Sequence, residues 1–254
     1  MIPVLIARNT FREATRDRVI AGVLVAGLAL LLATQLLSPL AMGEGRRLTV
    51  DLGLSGISLL GVLVTLLVGG SLVAKEIERR TIYNLLSRPI ARPLYLLGKW
   101  LGMTAALWVV AGGLGLCLWV LMLARGFAPN ALSLLEAVYL TGLELMLVAA
   151  LAVMFSALST PVLSALYTLG FYLAGQWSDD LRAYAAKLPA ALAPALQAAS
   201  NLVPNLPLFN MRTLAANNET TTLLHLGLAT AYALVYSACV LSLATAAFES
   251  RDFK

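Results

Sequence analysis

The chain is short of charge. Asp, Glu, Lys and Arg make up 12% of its 254 residues, while hydrophobic residues make up 60%. Soluble domains carry about a quarter charged residues. A mean hydropathy of +0.85 is more apolar surface than a soluble core buries, so a water-soluble protein is excluded and the chain reads as integral to a membrane. Histidine is nearly missing. His225 is the sole one, so no histidine cluster can ligate a metal, and it reads as an interfacial polar residue. Cysteine is scarce as well. Cys117 and Cys239 lie in apolar runs and read as buried free thiols. No G-x-x-x-x-G-K-[ST] occurs, so the chain has no P-loop to cradle nucleotide phosphates. The net charge of +5 is then a topology signal, to be read loop by loop, and nothing points to nucleic acid.

What is there is a set of long apolar runs. Crossing ~30 Å of hydrocarbon takes ~20 residues of helix. Six segments are expected to cross: Val19–Leu37, Leu52–Ala74, Leu96–Ala124, Leu132–Leu158, Val162–Trp177 and Leu223–Phe248. The fifth is short and is expected to be tilted, broken or completed past Trp177. The first follows a mixed-charge region and exceeds a cleavable signal core of ~7–15 residues, so it reads as a retained helix. "SALSTP" between the fourth and fifth marks a tight turn at Pro161. Lys and Arg divide 12 to 6 between the two sets of connections, which predicts that both termini and residues 75–99 face the cytoplasm. Trp100 and Trp119 lie 19 residues apart. That is about 28 Å of helix, the spacing of two interfacial belts.

Two elements are predicted on the cytoplasmic surface. Residues 1–18 read as an amphipathic interfacial helix, an elbow. Arg8, Arg12 and Arg16 form a basic stripe toward lipid phosphates, and Ile2, Leu5 and Ile6 supply apolar contact. The second is "KEIERRTIYNLLSRPIARPLYLLGK", residues 75–99. Its charges end the second span. Thr81 stands near the start of a short helix, and Ile82, Leu85 and Leu86 fall on one face at i, i+3 and i+4. Pro89 stops that helix, and Pro93 leaves only a brief link to the third span. Apolar teeth with a charged rim are expected to dock on lipid or in a protein groove.

The stretch "KEIERRTIYNLLSRPIARPLYLLGKWLG" resembles the cytoplasmic loop of type-2 ABC exporter permeases. Thr81, Leu85, Leu86, Arg88, Pro89, Arg92, Gly98 and Lys99 carry the match, while Arg80, Ala91 and Pro93 depart from the usual pattern. "IARNTFREATRDRV", "LAGQWSDDLR" and "LVPNLPLFNMR" are similar to further parts of such permeases, nearest those grouped with the nitrous-oxide reductase maturation exporter. The resemblance implies a coupling helix within 75–93 that docks in a separate ABC ATPase subunit. Ile82, Leu85 and Leu86 would be the teeth, with Thr81 beside them. Glu76, Glu78, Arg88 and Arg92 would form the rim, and "SALSTP" a minor contact. It also implies a second permease copy, forming a homodimer, in a bacterial or archaeal cytoplasmic membrane. The chain itself would hold no cofactor; ATP and Mg would sit in the partner ATPase.

Polar groups inside the spans are expensive. Glu144 lies within the fourth span, and Glu136 two turns away and offset by about 80°. With Tyr139 and Thr141 they would line a translocation path. The competing expectation is a carboxyl that locks helices together. Glycines at 69–70 and 112–115 read as close packing before any hinge. Residues 178–222 form the one long connection, read as short helices lying as a lid on the outer face. Ser178 caps the first, with Asp179 and Asp180 in its first turn. "GLSG" at 53–56 with His225 raises a rhomboid-type protease, with Ser55 as nucleophile and His225 as base. A scaffold without transport is the third alternative. The fold class expected throughout is an all-α membrane protein, 1–254 as one permease domain.

Overall fold

The computed structural model describes residues 2–37, 43–74, 76, 92–127, 130–185, 187 and 202–249. All regular structure among them is helical. The N-terminal helix α1 spans Ile2–Arg16 and α2 spans Arg18–Leu37. Helix α3, Gly45–Leu67, runs into a 3-10 turn at Gly69–Ser71. Then come α4, Arg92–Ala124, and α5, Ala131–Leu158. Helix α6, Pro161–Gln176, is followed by α7, Ser178–Ala185. A 3-10 turn at Pro207–Phe209 and the short α8, Arg212–Ala216, lead to α9, Leu223–Glu249.

Five of these helices are long and apolar enough to cross a membrane: Arg18–Leu37, Gly45–Ser71, Arg92–Ala124, Ala131–Leu158 and Leu223–Phe248. The chain is a multi-pass membrane protein. The expected fifth segment is the difference. Helix α6 has 16 residues, or about 24 Å of rise, which is less than the hydrocarbon thickness. It stops at Gln176 because the chain turns and the 204–209 segment packs against its end. A Cβ on Gly175 would lie 2.8 Å from the Leu206 side chain and 3.0 Å from the Pro204 carbonyl oxygen.

Helix α5 is the hub. Residues 140–153 are buried without interruption, a surface apolar all round save for Thr141 and Glu144 and enclosed by α3, α4, α6 and α9. Asn130 starts it, its side chain accepting from the Leu132 amide at 3.1 Å. The Asn130 amide donates to Asn218, a residue held at φ 62 in the left-handed region that Asn tolerates. Small residues let the helices close up. A Cβ on Gly61 of α3 would meet Leu145 at 2.4 Å. Gly69 and Gly70 pack against Ala152 and Ala165, as expected of them. Of the second glycine group only Gly115 does so, against Val138; Gly112 and Gly113 have nothing within 4 Å.

Two further expectations change in the folded chain. Cys117 and Cys239 are exposed, not buried, because a membrane helix is apolar on its outer face as well as its inner one. Trp100 is buried and donates its indole N–H to the Met146 carbonyl at 3.1 Å, so it fastens α4 to α5 instead of marking a belt. The described end of the 178–222 region runs beside α9. Tyr236, 13 residues and about 20 Å into α9, donates to the Leu202 carbonyl at 2.8 Å. Tyr232 accepts the Asn205 amide at 2.8 Å, and Leu206 and Phe209 are buried. Two α9 hydroxyls thus satisfy backbone groups that an apolar interior would otherwise leave unpaired, which permits irregular chain beside a long helix.

Candidate functional site

Most of the predicted coupling segment, residues 75 and 77–91, lies outside the described residues. Glu78, Thr81, Ile82, Leu85, Leu86 and Arg88 fall within it. Its two ends, Glu76 and Arg92, are described, and both are held.

Glu76 follows the last turn of the α3 segment. One carboxylate oxygen receives Lys99 Nζ at 2.6 Å, and the other receives the Tyr95 hydroxyl. Lys99 is buried, with a side chain 4% exposed. A buried ammonium is costly unless it is paired. Glu13 of α1 supplies a second carboxylate at 3.8 Å, and the Tyr95 ring lies 5.9 Å from the ammonium. The α3 end, α4 and α1 therefore meet on one cation.

The packing beneath explains why α1 can reach it. Gly98 and Gly102 are four residues apart and form a groove along α4. A Cβ on Gly102 would lie 2.4 Å from the Ala7 carbonyl oxygen, and one on Gly98 2.8 Å from Ile6 Cβ. Thr10 and Ala14 of α1 are buried against this groove, while Leu5, Arg8, Arg12 and Arg16 remain exposed on the other side.

Two more hydrogen-bond sets converge here. Ser156, in the last turn of α5 where "SALSTP" begins, accepts from the Val73 and Ala74 amides at 3.0 and 3.1 Å. Arg92 donates to the Phe248 carbonyl near the end of α9 at 3.0 Å, with its guanidinium 5.8 Å from the Phe248 ring. The expected rim residues Glu76 and Arg92 are thus both engaged within the bundle, and the described parts of both termini gather at the same end as the segment's roots.

Glu144 is buried in the middle of α5. Ser58 of α3 donates to one carboxylate oxygen at 3.2 Å, and Gln176 at the tip of α6 donates to the other at 2.6 Å. Three helices meet on it. Glu136 does not join it. Its carboxylate accepts the Thr221 amide at 2.8 Å, just before α9. Tyr139 bonds Thr230 of α9 at 2.8 Å, and Thr141 bonds back to the Ala137 carbonyl. Each member of the expected polar path is therefore occupied by a bond that fastens α5 to its neighbours or to itself.

The protease geometry does not form. No hydrogen bond joins Ser55 to His225 among the described residues, and His225 Nε2 lies 3.1 Å from the Leu208 carbonyl. The serine that meets an acid is Ser58, one turn on.

Sequence reasoning passed over Lys99 as a site, together with Glu13, Tyr95, Ser156, Ser58 and Gln176. A usable signal was present: Lys99 stands inside a Gly-x-x-x-Gly at the start of a 33-residue apolar helix, where an unpaired cation would not be tolerated.

A family model described as "ABC-2 family transporter protein" matches residues 5–253. No curated protein matches the chain.

Proposed function

The chain belongs to the ABC-2 transporter family, and on that premise we propose that it is the permease of an ATP-driven exporter. A separate ABC ATPase subunit supplies nucleotide hydrolysis, and a second copy of the permease completes the membrane unit. The bundle sits in a bacterial or archaeal cytoplasmic membrane with both termini inside. It crosses six times, α6 being completed by α7 beyond Trp177. Helix α1 is the elbow at the inner surface, its Arg8, Arg12 and Arg16 stripe turned to anionic lipid.

The coupling element is 75–93. Ile82, Leu85 and Leu86 are its teeth in the ATPase groove, with Thr81 at their base. Glu78 and Arg88 set the charged rim, and Glu76 and Arg92 belong to its roots. The observation that carries this reading is the anchoring of those roots. Glu76 is clasped by Lys99 and Tyr95, and Arg92 is bonded to the Phe248 carbonyl. A segment fastened at both ends to different long helices can pass a displacement into them. A loosely tethered one would absorb it.

The test is co-purification from native membranes of wild type beside an Ile82→Asp/Leu85→Asp variant. Buried apolar teeth carry most of a groove interaction. An ATPase subunit retained by wild type and lost by the variant is the expected result. An ATPase retained by both would remove the docking role from this segment.

Glu144 is assigned here to the helix lock, because both its oxygens are taken by donors from α3 and α6. A Glu144→Gln variant that assembles normally but loses transport would return it to the translocation path.

A further inference from the structure

We infer that Lys99 is a positioning residue. Its ammonium pins the root of the coupling segment to α1 and α4, so that movement of that segment is delivered to the bundle as one body. The functional half of this inference rests on the permease reading above; the mechanical half stands on the geometry alone.

Glu76 lies at the point where the α3 segment ends. Its carboxylate is fixed by groups from across the loop: Lys99, 23 residues on, and the Tyr95 hydroxyl. Lys99 also faces Glu13, so the same cation ties in the N-terminal helix. Glu13 is 64% exposed and its contact is long, whereas the Glu76 pair is short and its lysine is nearly sealed. The Glu76 pair therefore carries the clasp, and Glu13 adjusts it. Directly behind Glu76, the Val73 and Ala74 amides are held by Ser156, and the Glu76 amide bonds the Val73 carbonyl at 3.1 Å. These three amides report whether the root is closed. Arg92 holds the other root through the Phe248 carbonyl and ring.

Hydrogen exchange and ATP turnover together test this. Wild type, Lys99→Met, Glu76→Gln and the double variant are compared in lipid nanodiscs with the co-purified ATPase. Breaking the pair from either side is expected to speed exchange at the 73, 74 and 76 amides by roughly tenfold or more, with amides in α9 unchanged. Lys99→Met in the Glu76→Gln background is expected to add less than about twofold, since the pair is already broken. The ATPase stays bound, but the change in ATP turnover that the permease imposes on it falls. Glu76→Gln breaks the pair from its more exposed side and keeps the test available if Lys99→Met does not fold. Exchange unaltered in both single variants, equal acceleration in α9, or additive effects in the double variant would each overturn the clasp. If wild type brings down no ATPase, the permease reading fails while the exchange result still decides the clasp. If exchange responds and turnover does not, Lys99 holds the root without a part in coupling, and the positioning role is refuted.

Discussion

The clasp at Lys99 and the lock at Glu144 are both buried polar junctions of three elements, yet they are built differently. At the first, a cation is held between two carboxylates and a phenol. At the second, a carboxyl is met by a hydroxyl and a carboxamide, both neutral. Position accounts for the difference. Lys99 lies near the end of α4, where its partners still reach water: Glu13 is mostly exposed and Glu76 partly so. Glu144 lies at the centre of the most enclosed helix, where a bare ion would find no solvent. Charge at the rim gives a junction that salt and partner binding can influence. Dipoles in the middle give one that they cannot.

That contrast can be broken at several points. The largest effect is expected from Gly102→Val. The added side chain meets the Ala7 backbone oxygen, which cannot rotate away, so α1 should undock at a cost of about 3 kcal/mol. Gly112→Val, with open space around it, should leave the thermal midpoint in detergent nearly unchanged. Next comes Glu144→Leu, which strands the donors of Ser58 and Gln176. A loss of about 2 kcal/mol is expected, and Glu144→Gln should recover much of it. Neither effect should vary between 0.1 and 1 M salt by more than the precision of a denaturation midpoint. Tyr236→Phe removes one hydroxyl bond to Leu202 and should cost about 0.6 kcal/mol, with faster exchange confined to the 202–209 segment. Smallest is Glu13→Gln, about 0.5 kcal/mol or less at low salt and nothing measurable at 1 M, because its carboxylate is exposed. A salt-dependent Glu144 variant, or a salt-independent Glu13 variant, would remove the distinction between the two junctions.

Much of the plan was legible in the chain itself. Long apolar runs can only be satisfied as helices in lipid, so the helical class and five of the six expected crossing segments followed from composition and length. The basic segment at 75–99 stood out because it interrupts those runs. Inside the membrane the pattern stops informing. Where both faces of a helix are apolar, periodicity no longer tells core from surface, which is why Cys117 and Cys239 could be placed on helices but not on a face. Glu144 and Glu136 looked like one path because they share a helix. Their hydrogen bonds send them to different partners, one to α3 and α6 and the other to the turn before α9.

By itself, then, the sequence determined an all-helical membrane protein whose densest run of charge falls in one interhelical segment, since hydrocarbon leaves a backbone no other way to satisfy its own polar groups. Only the tertiary structure decided which residues meet. Lys99 finds Glu76 across 23 residues of chain, Glu144 finds Ser58 across 86, and Tyr236 reaches back to Leu202 across 34. Such pairings have no local spacing to betray them. They are set by how closely glycine-lined helices approach, and by the requirement that each buried polar group in an apolar medium find a partner wherever the packing brings one.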